Sequence, residues 1–217
     1  MPRRIDTEAR TAEIAGAALR ILERDGLASL SVRGVAAETG LAPASLRRIF
    51  PTQQDLREYC FELIEERATA RIAALDLSGR ELAEALLAQL LPLDGVRRLE
   101  FVAQVQLGVL ALTDQALRPA AQRLSAAVDR ACVAAIGILV DARLFHAHRD
   151  AAFEARRLRA LLDGVAMLGL WDGDAEAPQH ALDTVTHHLD ELALPPPHRT
   201  GGALERSQTR ATSDEKR

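Results

Sequence analysis

The sequence predicts an all-α fold, and three observations carry that expectation. Apolar residues make up 48% of the chain but aromatic residues only 3%, so the core must be built from alanine and leucine, which suit close-packed helices better than sheets. No stretch alternates β-branched and polar residues in the manner of a half-buried strand. Apolar residues recur instead at three- and four-residue spacing, in runs bounded by glycine, proline and capping side chains. With 217 residues the chain is long enough to bury a sizeable core.

The elements follow in order. A first helix is expected from about Thr7 to Arg24, burying Ile14, Ala18, Ile21 and Leu22 and stopping before Gly26. Arg3 and Arg4 precede it, either as a basic arm or as a frayed terminus. The stretch Ser31–Phe50 then reads as helix, tight turn, helix. Val32, Val35 and Ala36 give its first helix one buried stripe, and Ser31 stands where a hydroxyl accepts from an unpaired N–H. Gly40 ends that helix in the left-handed conformation glycine adopts without steric cost. Pro43 opens the next helix at its first position, where a missing N–H is no loss. Leu46, Ile49 and Phe50 are expected to pack back on the first helix. Pro43, Ala44, Ser45, Arg47 and Arg48 are left facing outward. A helical corner with outward arginines suits the major groove of DNA, although such corners also occur in ordinary helical proteins.

The flanking residues narrow the choice. The segment IAGAALRILERDGLASLSVRGVAAETGLAPASLRRIFPTQQDL resembles the DNA-reading head of the TetR family of transcriptional regulators. The resemblance is carried by Gly26, Leu30, Ser31, Val32, Val35, Ala36, Gly40, Leu41, Leu46, Phe50 and Leu56. It implies that Arg48, Arg47, Pro43, Ala44 and Ser45 meet the groove, while Ser31, Arg33 and Gln53, at the start of the fourth helix, hold phosphates. The chain departs from the pattern at Gly34, where an acidic residue is common, and at three further positions. Ala42 replaces the usual Ser or Thr cap, Arg47 an aromatic residue that is often Tyr, and Gln53 a common Lys. Arg47 is suited to phosphate because a guanidinium binds two of its oxygens at once.

Beyond Pro51, Thr52 is expected to cap a fourth helix from about Gln53 to Ala74. Ser78 is expected to cap a fifth, ending near Pro92. A sixth should cover Val96–Leu112 and a seventh Gln115–Leu144. The polar connector Phe145–Asp150 leads to an eighth helix over Ala151–Trp171 and a ninth over Ala177–Leu192. Pro195, Pro196 and Pro197 stop the fold, and the tail to Arg217 is too polar to order itself. The expected organisation is therefore a head over 1–52, a helical body over 53–194 and a disordered tail over 195–217.

EFVAQVQLGVLALTD and LRALLDGVAMLGLWDGD resemble the choline-responsive repressor branch of the same family. That resemblance implies a cavity among the fourth to eighth helices and a dimer built from the last two. Candidate cavity residues are Phe61, Phe101, Val105, Val109 and Trp171, with Gln104 or Gln106 as a hydrogen-bonding handle; each also fits as plain core. Candidate dimer residues are Leu158, Leu161, Leu162, Val165, Leu168 and Gly169, which would equally suit a helix buried in its own subunit.

Charge and composition limit the other classes. Residues 1–57 carry nine arginines against seven acidic residues, net +2, and the remainder nets −6. A slightly basic head on an acidic body suits contact with DNA at one end. Cys60 and Cys132 lack metal-ligand spacing and read as buried thiols. His146, His148, His187 and His188 read as solvated surface, and Glu65-Glu66 as a solvated helix face. No phosphate loop, nucleophile elbow or metal-binding helix motif occurs, so neither an enzyme nor a cofactor is expected. The amino-terminal residues have no apolar run for a signal peptide and no segment approaches membrane-spanning length, so the expected setting is the cytoplasm. These readings converge on a homodimeric, effector-responsive regulator binding double-stranded operator DNA and no membrane. A helical adaptor for a protein partner is the other reading.

Overall fold

In the computed structural model, which describes residues 2–173 and 175–193, every regular element is helical. The expected tail from residue 195 onward lies outside the described residues. The α-helices are α1 (Pro2–Asp25), α2 (Val32–Thr39), α3 (Pro43–Ile49), α4 (Gln53–Ala73), α5 (Gly79–Ala88), α6 (Gly95–Ala111), α7 (Arg118–Asp141), α8 (Ala151–Asp172) and α9 (Ala177–Leu192). Single 3-10 turns at Leu27–Ser29 and Gln115–Leu117 lead into α2 and α7.

The bounds follow local chemistry. Helix α1 begins at Pro2 rather than near Thr7, because a proline at the first turn costs no hydrogen bond. Asp94 caps α6 by accepting from Arg97 N at 2.8 Å, and Asp150 caps α8 by accepting from Ala152 N and Phe153 N. Ser78 precedes α5 without making the expected side-chain cap bond, and α5 ends at Ala88, one turn short of Pro92. The expected long seventh helix is broken at its start, where Asp114 caps the 3-10 turn instead. It ends at Asp141, and Arg143 then takes a left-handed φ of 58°.

Two clusters of buried residues hold the fold. The first joins α1 to α4 with α6 and the beginning of α7, through Leu22, Leu30, Leu46, Leu56, Ala103 and Leu107. The second joins α5 to α9, through Leu87, Phe101, Leu139, Leu158 and Leu189. Helix α6 belongs to both. Ala103, Leu107 and Ala111 point into the first cluster and Phe101 into the second. One apolar helix is thus the common wall of head and body.

Candidate nucleic-acid interface and cavity

At the head, three local devices fix the corner. Ser31 Oγ accepts from Gly34 N at 3.1 Å and starts α2. Gly40 sits at φ 69°, where a side chain would be strained, and turns the chain into α3. Thr52 and Asp55 form a reciprocal capping box that starts α4 directly after α3. Leu46 is fully buried beneath α3, and the Phe50 ring packs against Tyr59 with centroids 5.1 Å apart. Ala42 makes no cap bond, and α3 relies on Pro43 at its first turn.

The outward residues are placed as expected. Pro43, Ala44, Ser45, Arg47 and Arg48 are all exposed, and so is Arg33 on α2. None of these arginines is held by a carboxylate among the described residues. Two expectations need correction. Ile49 does not pack back on α2; it is 51% exposed, because a helix of two turns resting on Leu46 and Phe50 leaves its neighbouring position open. Gln53 is not simply turned outward: its Nε2 donates to Leu30 O at 3.0 Å, bracing the start of α4 against the approach to α2.

In the body, α4, α5, α6, α7 and α8 line a half-open cavity of about 570 Å³. Its walls are chiefly apolar, from Phe61 and Ile72 on α4, Leu86 on α5, Phe101 on α6, Val128 on α7 and Leu162 on α8. Most of its charge is already matched. Both Glu100 oxygens accept from Arg71, at 2.8 and 2.6 Å. Asp163 accepts from Arg159 Nε at 2.8 Å, and Arg97 pairs with Asp94 while donating to Ala88 O. Glu65, Thr69, Gln104 and Arg130 line the space with no hydrogen bond or ion pair recorded among the described residues. Gln106, two residues beyond Gln104, points instead at the head. Its Oε1 accepts the Leu27 N–H, and its side chain covers Gly26, where an added Cβ would come within 3.0 Å of it.

Residues 79–194 match the family described as BetI-type transcriptional repressor, C-terminal. The chain belongs to the TetR family. A TetR-type head followed by this body is the arrangement in a transcriptional regulator. The HTH-type transcriptional regulator PksA of Bacillus subtilis is 28% identical over 205 residues, covering 89% of this chain and 95% of that one. Among solved structures, the multidrug binding protein EbrR complexed with imidazole is 30% identical. It superposes with a TM-score of 0.60, covering 91% of this chain and 96% of its own. A transcriptional regulator from Saccharomonospora viridis in complex with choline shares the fold at 22% identity and a TM-score of 0.72, with 85% and 96% covered.

Within this TetR body the expected cavity residues divide. Phe61, Phe101 and Gln104 line the space. Val105 does not; it packs, partly buried, on the second cluster. Val109 and Trp171 are 60% and 73% exposed and face away from it, since an apolar residue on a helix is not thereby an inward one. Glu65 corrects the reading of a solvated face in part: α4 repeats Phe61, Glu65, Ala68, Thr69 and Ile72 at helical spacing along the cavity wall, while Glu66 is exposed and, with Glu62 and Glu65, borders an open groove outside it.

The expected dimer residues also divide. Leu158 and Leu162 are fully covered within the subunit, Leu161, Val165 and Gly169 are partly covered, and an added Cβ at Gly169 would meet Ala177. Leu168 alone of the six stands clearly open, at 54%. The open face of α8 is a different stripe: Phe153, Ala160, Gly164, Leu168 and Trp171, all exposed.

The remaining singled-out groups are structural. Cys60 and Cys132 are buried, and burial pushes each thiol up to about 12. His188 is not solvated: it is 7% exposed, its Nε2 has no hydrogen-bond partner among the described residues, and burial, with Arg157 next, lowers its pKa. The His146 and His148 rings lie tilted against each other with centroids 5.4 Å apart, and His146 N donates to Leu192 O. Among the described residues no helix is long and apolar enough to cross a membrane.

Proposed function

We propose that this regulator is a homodimeric repressor whose two heads grip a pseudo-palindromic operator and are released when a small molecule enters the body cavity. The observation that carries the reading is the double membership of α6. Its Ala103, Leu107 and Ala111 floor the head while its Phe101 and Gln104 line the cavity. A molecule that displaces those side chains acts on the same rigid helix that holds the Gly26–Leu27 corner through Gln106. The effector needs only to favour one α6 position over another, because a ligand shifts an equilibrium solely through differential affinity.

The head supplies the DNA contacts. Arg48, Ser45 and Ala44 meet base edges, while Arg47, Arg33 and the Ser31 hydroxyl, whose proton is not used by the cap, hold phosphates. The open α8 stripe supplies the dimer. Phe153, Leu168 and Trp171 offer apolar area, and Gly164, beside which nothing lies within 4 Å of an added Cβ, permits close approach of a second α8. The resulting two-fold axis presents two α3 helices to half-sites about one helical turn apart. That EbrR and the Saccharomonospora regulator are solved with small molecules supports an effector here. The setting that fits such a regulator is the cytoplasm. Residues 1–52 act as head and 53–194 as body in this reading.

Fluorescence anisotropy with DNA from upstream of the protein's own gene, beside a scrambled fragment and across a salt series, tests it. Tight binding to the upstream fragment alone, by a species of dimer mass in light scattering, is expected. Equal, weak and steeply salt-dependent binding to both would reduce the head to a backbone binder. Absence of binding at low salt would favour the adaptor reading.

A further inference from the structure

Resting on the effector role proposed for the cavity, we infer that its ligand is a large apolar molecule carrying one positive charge, with Glu65 as the counter-ion, and not a choline-sized quaternary ammonium. Size comes first. The space of about 570 Å³ lies within the range of sites for drug-sized molecules, and a choline-sized cation would leave most of it unfilled. Aromatic supply comes second. A small quaternary ammonium is held by a cage of ring faces, Trp and Tyr above all. Among the described residues, Phe61 and Phe101 are the only aromatic ones on the wall. Tyr59 is engaged with Phe50, and Trp171 stands on the outer face of α8. Two rings do not close a cage, but with Ile72, Leu86 and Leu162 they make a broad apolar lining.

Charge decides the sign. Glu100 is bound at both oxygens by Arg71, Asp163 is bound by Arg159, and Arg97 is bound by Asp94. Two charged side chains remain uncommitted among the described liners. Arg130 is exposed on α7, where water and salt screen it. Glu65 is half-buried on α4, one turn beyond Phe61 and one turn before Thr69. A cation placed on Phe61 is therefore beside the Glu65 carboxylate, on a partly covered wall where such a pair is stronger than in bulk water. Gln104 and Thr69 remain as neutral hydrogen-bonding groups for the rest of the molecule.

Tetraphenylphosphonium and tetraphenylborate test this directly, because they share one four-ring body and differ in the sign of charge. Calorimetric titration of the DNA-free protein should show the phosphonium binding at least about tenfold more tightly than the borate or choline. Glu65→Gln should weaken phosphonium binding about tenfold and erase the preference between the two ions. Glu66→Gln, an outward neighbour on α4, should change neither. Borate or choline binding as well as the phosphonium would overturn the inference, and so would an unchanged Glu65→Gln or no binding at all. Release of operator DNA by the phosphonium is read separately by anisotropy. Binding without release would leave the ligand class standing and remove the switch.

Discussion

The α2–α3 corner and the helix junctions of the body use arginine in opposite ways, while Arg20 and Arg24 elsewhere in the head pair with Glu38. Arg33, Arg47 and Arg48 are exposed on the head and held by no carboxylate among the described residues. In the body Arg71, Arg80, Arg97, Arg149, Arg157 and Arg159 are each bound to an acidic partner. The deepest case lies at the start of α8, beside α9, where Arg149 and Glu154 have side chains only 4% and 5% exposed, 2.9 Å apart. Glu154 also receives Arg157, and Arg149 reaches Glu191 O. A guanidinium whose hydrogen bonds are spent inside the fold is structural. One left open beside a recognition helix is available to phosphate and base edges. In the proposed reading, the contrast separates the end that would bind DNA from the end that would sense an effector and pair.

Four substitutions would break or sharpen that contrast. The largest effect is expected for Glu154→Gln, which removes the buried carboxylate charge that Arg149 and Arg157 share. A loss of about 3–5 kcal/mol in urea unfolding is expected, and a loss below about 1 kcal/mol, the level of an exposed pair, would mean the cluster is hydrated. Arg48→Ala should leave unfolding unchanged and weaken operator binding by about 1–3 kcal/mol in anisotropy titrations. Unchanged affinity would move Arg48 off the groove. Gln106→Leu removes the acceptor of a half-buried N–H and should cost about 1 kcal/mol of stability. Its sharper readout is functional: DNA binding should persist while its response to effector shrinks, and an undiminished response would confine Gln106 to packing.

The smallest effect concerns pH. His188 faces Arg157, Glu154, Glu191 and Arg149, and its folded pKa lies below the ordinary value of 6.5. The unfolded chain therefore takes up a proton first as pH falls. Stability contributed by neutral His188 is complete above about 6.5 and is lost as pH drops from there towards the lower folded value. Thermal unfolding from pH 7.5 to 5.5 should show this decline in the parent protein and a flatter one in His188→Leu. Equal slopes would assign the decline to other groups.

Legibility in the sequence follows the range of the interactions. The corner over Ser31–Phe50 is written in local chemistry: a hydroxyl three residues before the N–H it accepts from, a glycine in a left-handed turn, a proline at a first turn. Each signal needs only its neighbours, and the bounds of α2 and α3 came out as expected. The body needs partners distant in sequence. Periodicity announces that α8 has an apolar face, yet Leu158 and Leu162 meet their own subunit while Phe153 and Trp171 do not, and spacing alone cannot say which. The same holds for Val109, apolar but open. Glu65 was legible in principle, because Phe61, Glu65, Thr69 and Ile72 share one side of α4. What hid it was Glu66, which makes the pair look like ordinary solvated charge. The Arg149–Glu154–His188 group carried no local signal at all, since α9 completes it from more than thirty residues away.

The sharing of α6 also limits how such regulators can be recombined. A chimera cut between α3 and α4 and joined to a foreign body would strip the head of Leu56, Cys60, Ala103, Leu107 and Ala111, all part of the cluster on which α1 and α3 rest. The transplanted piece would keep its caps and its arginines but lose its floor. A transferable head must therefore be defined as a surface, not as a span of sequence: the graft has to bring the α6 face with it, or the recipient has to have that face rebuilt.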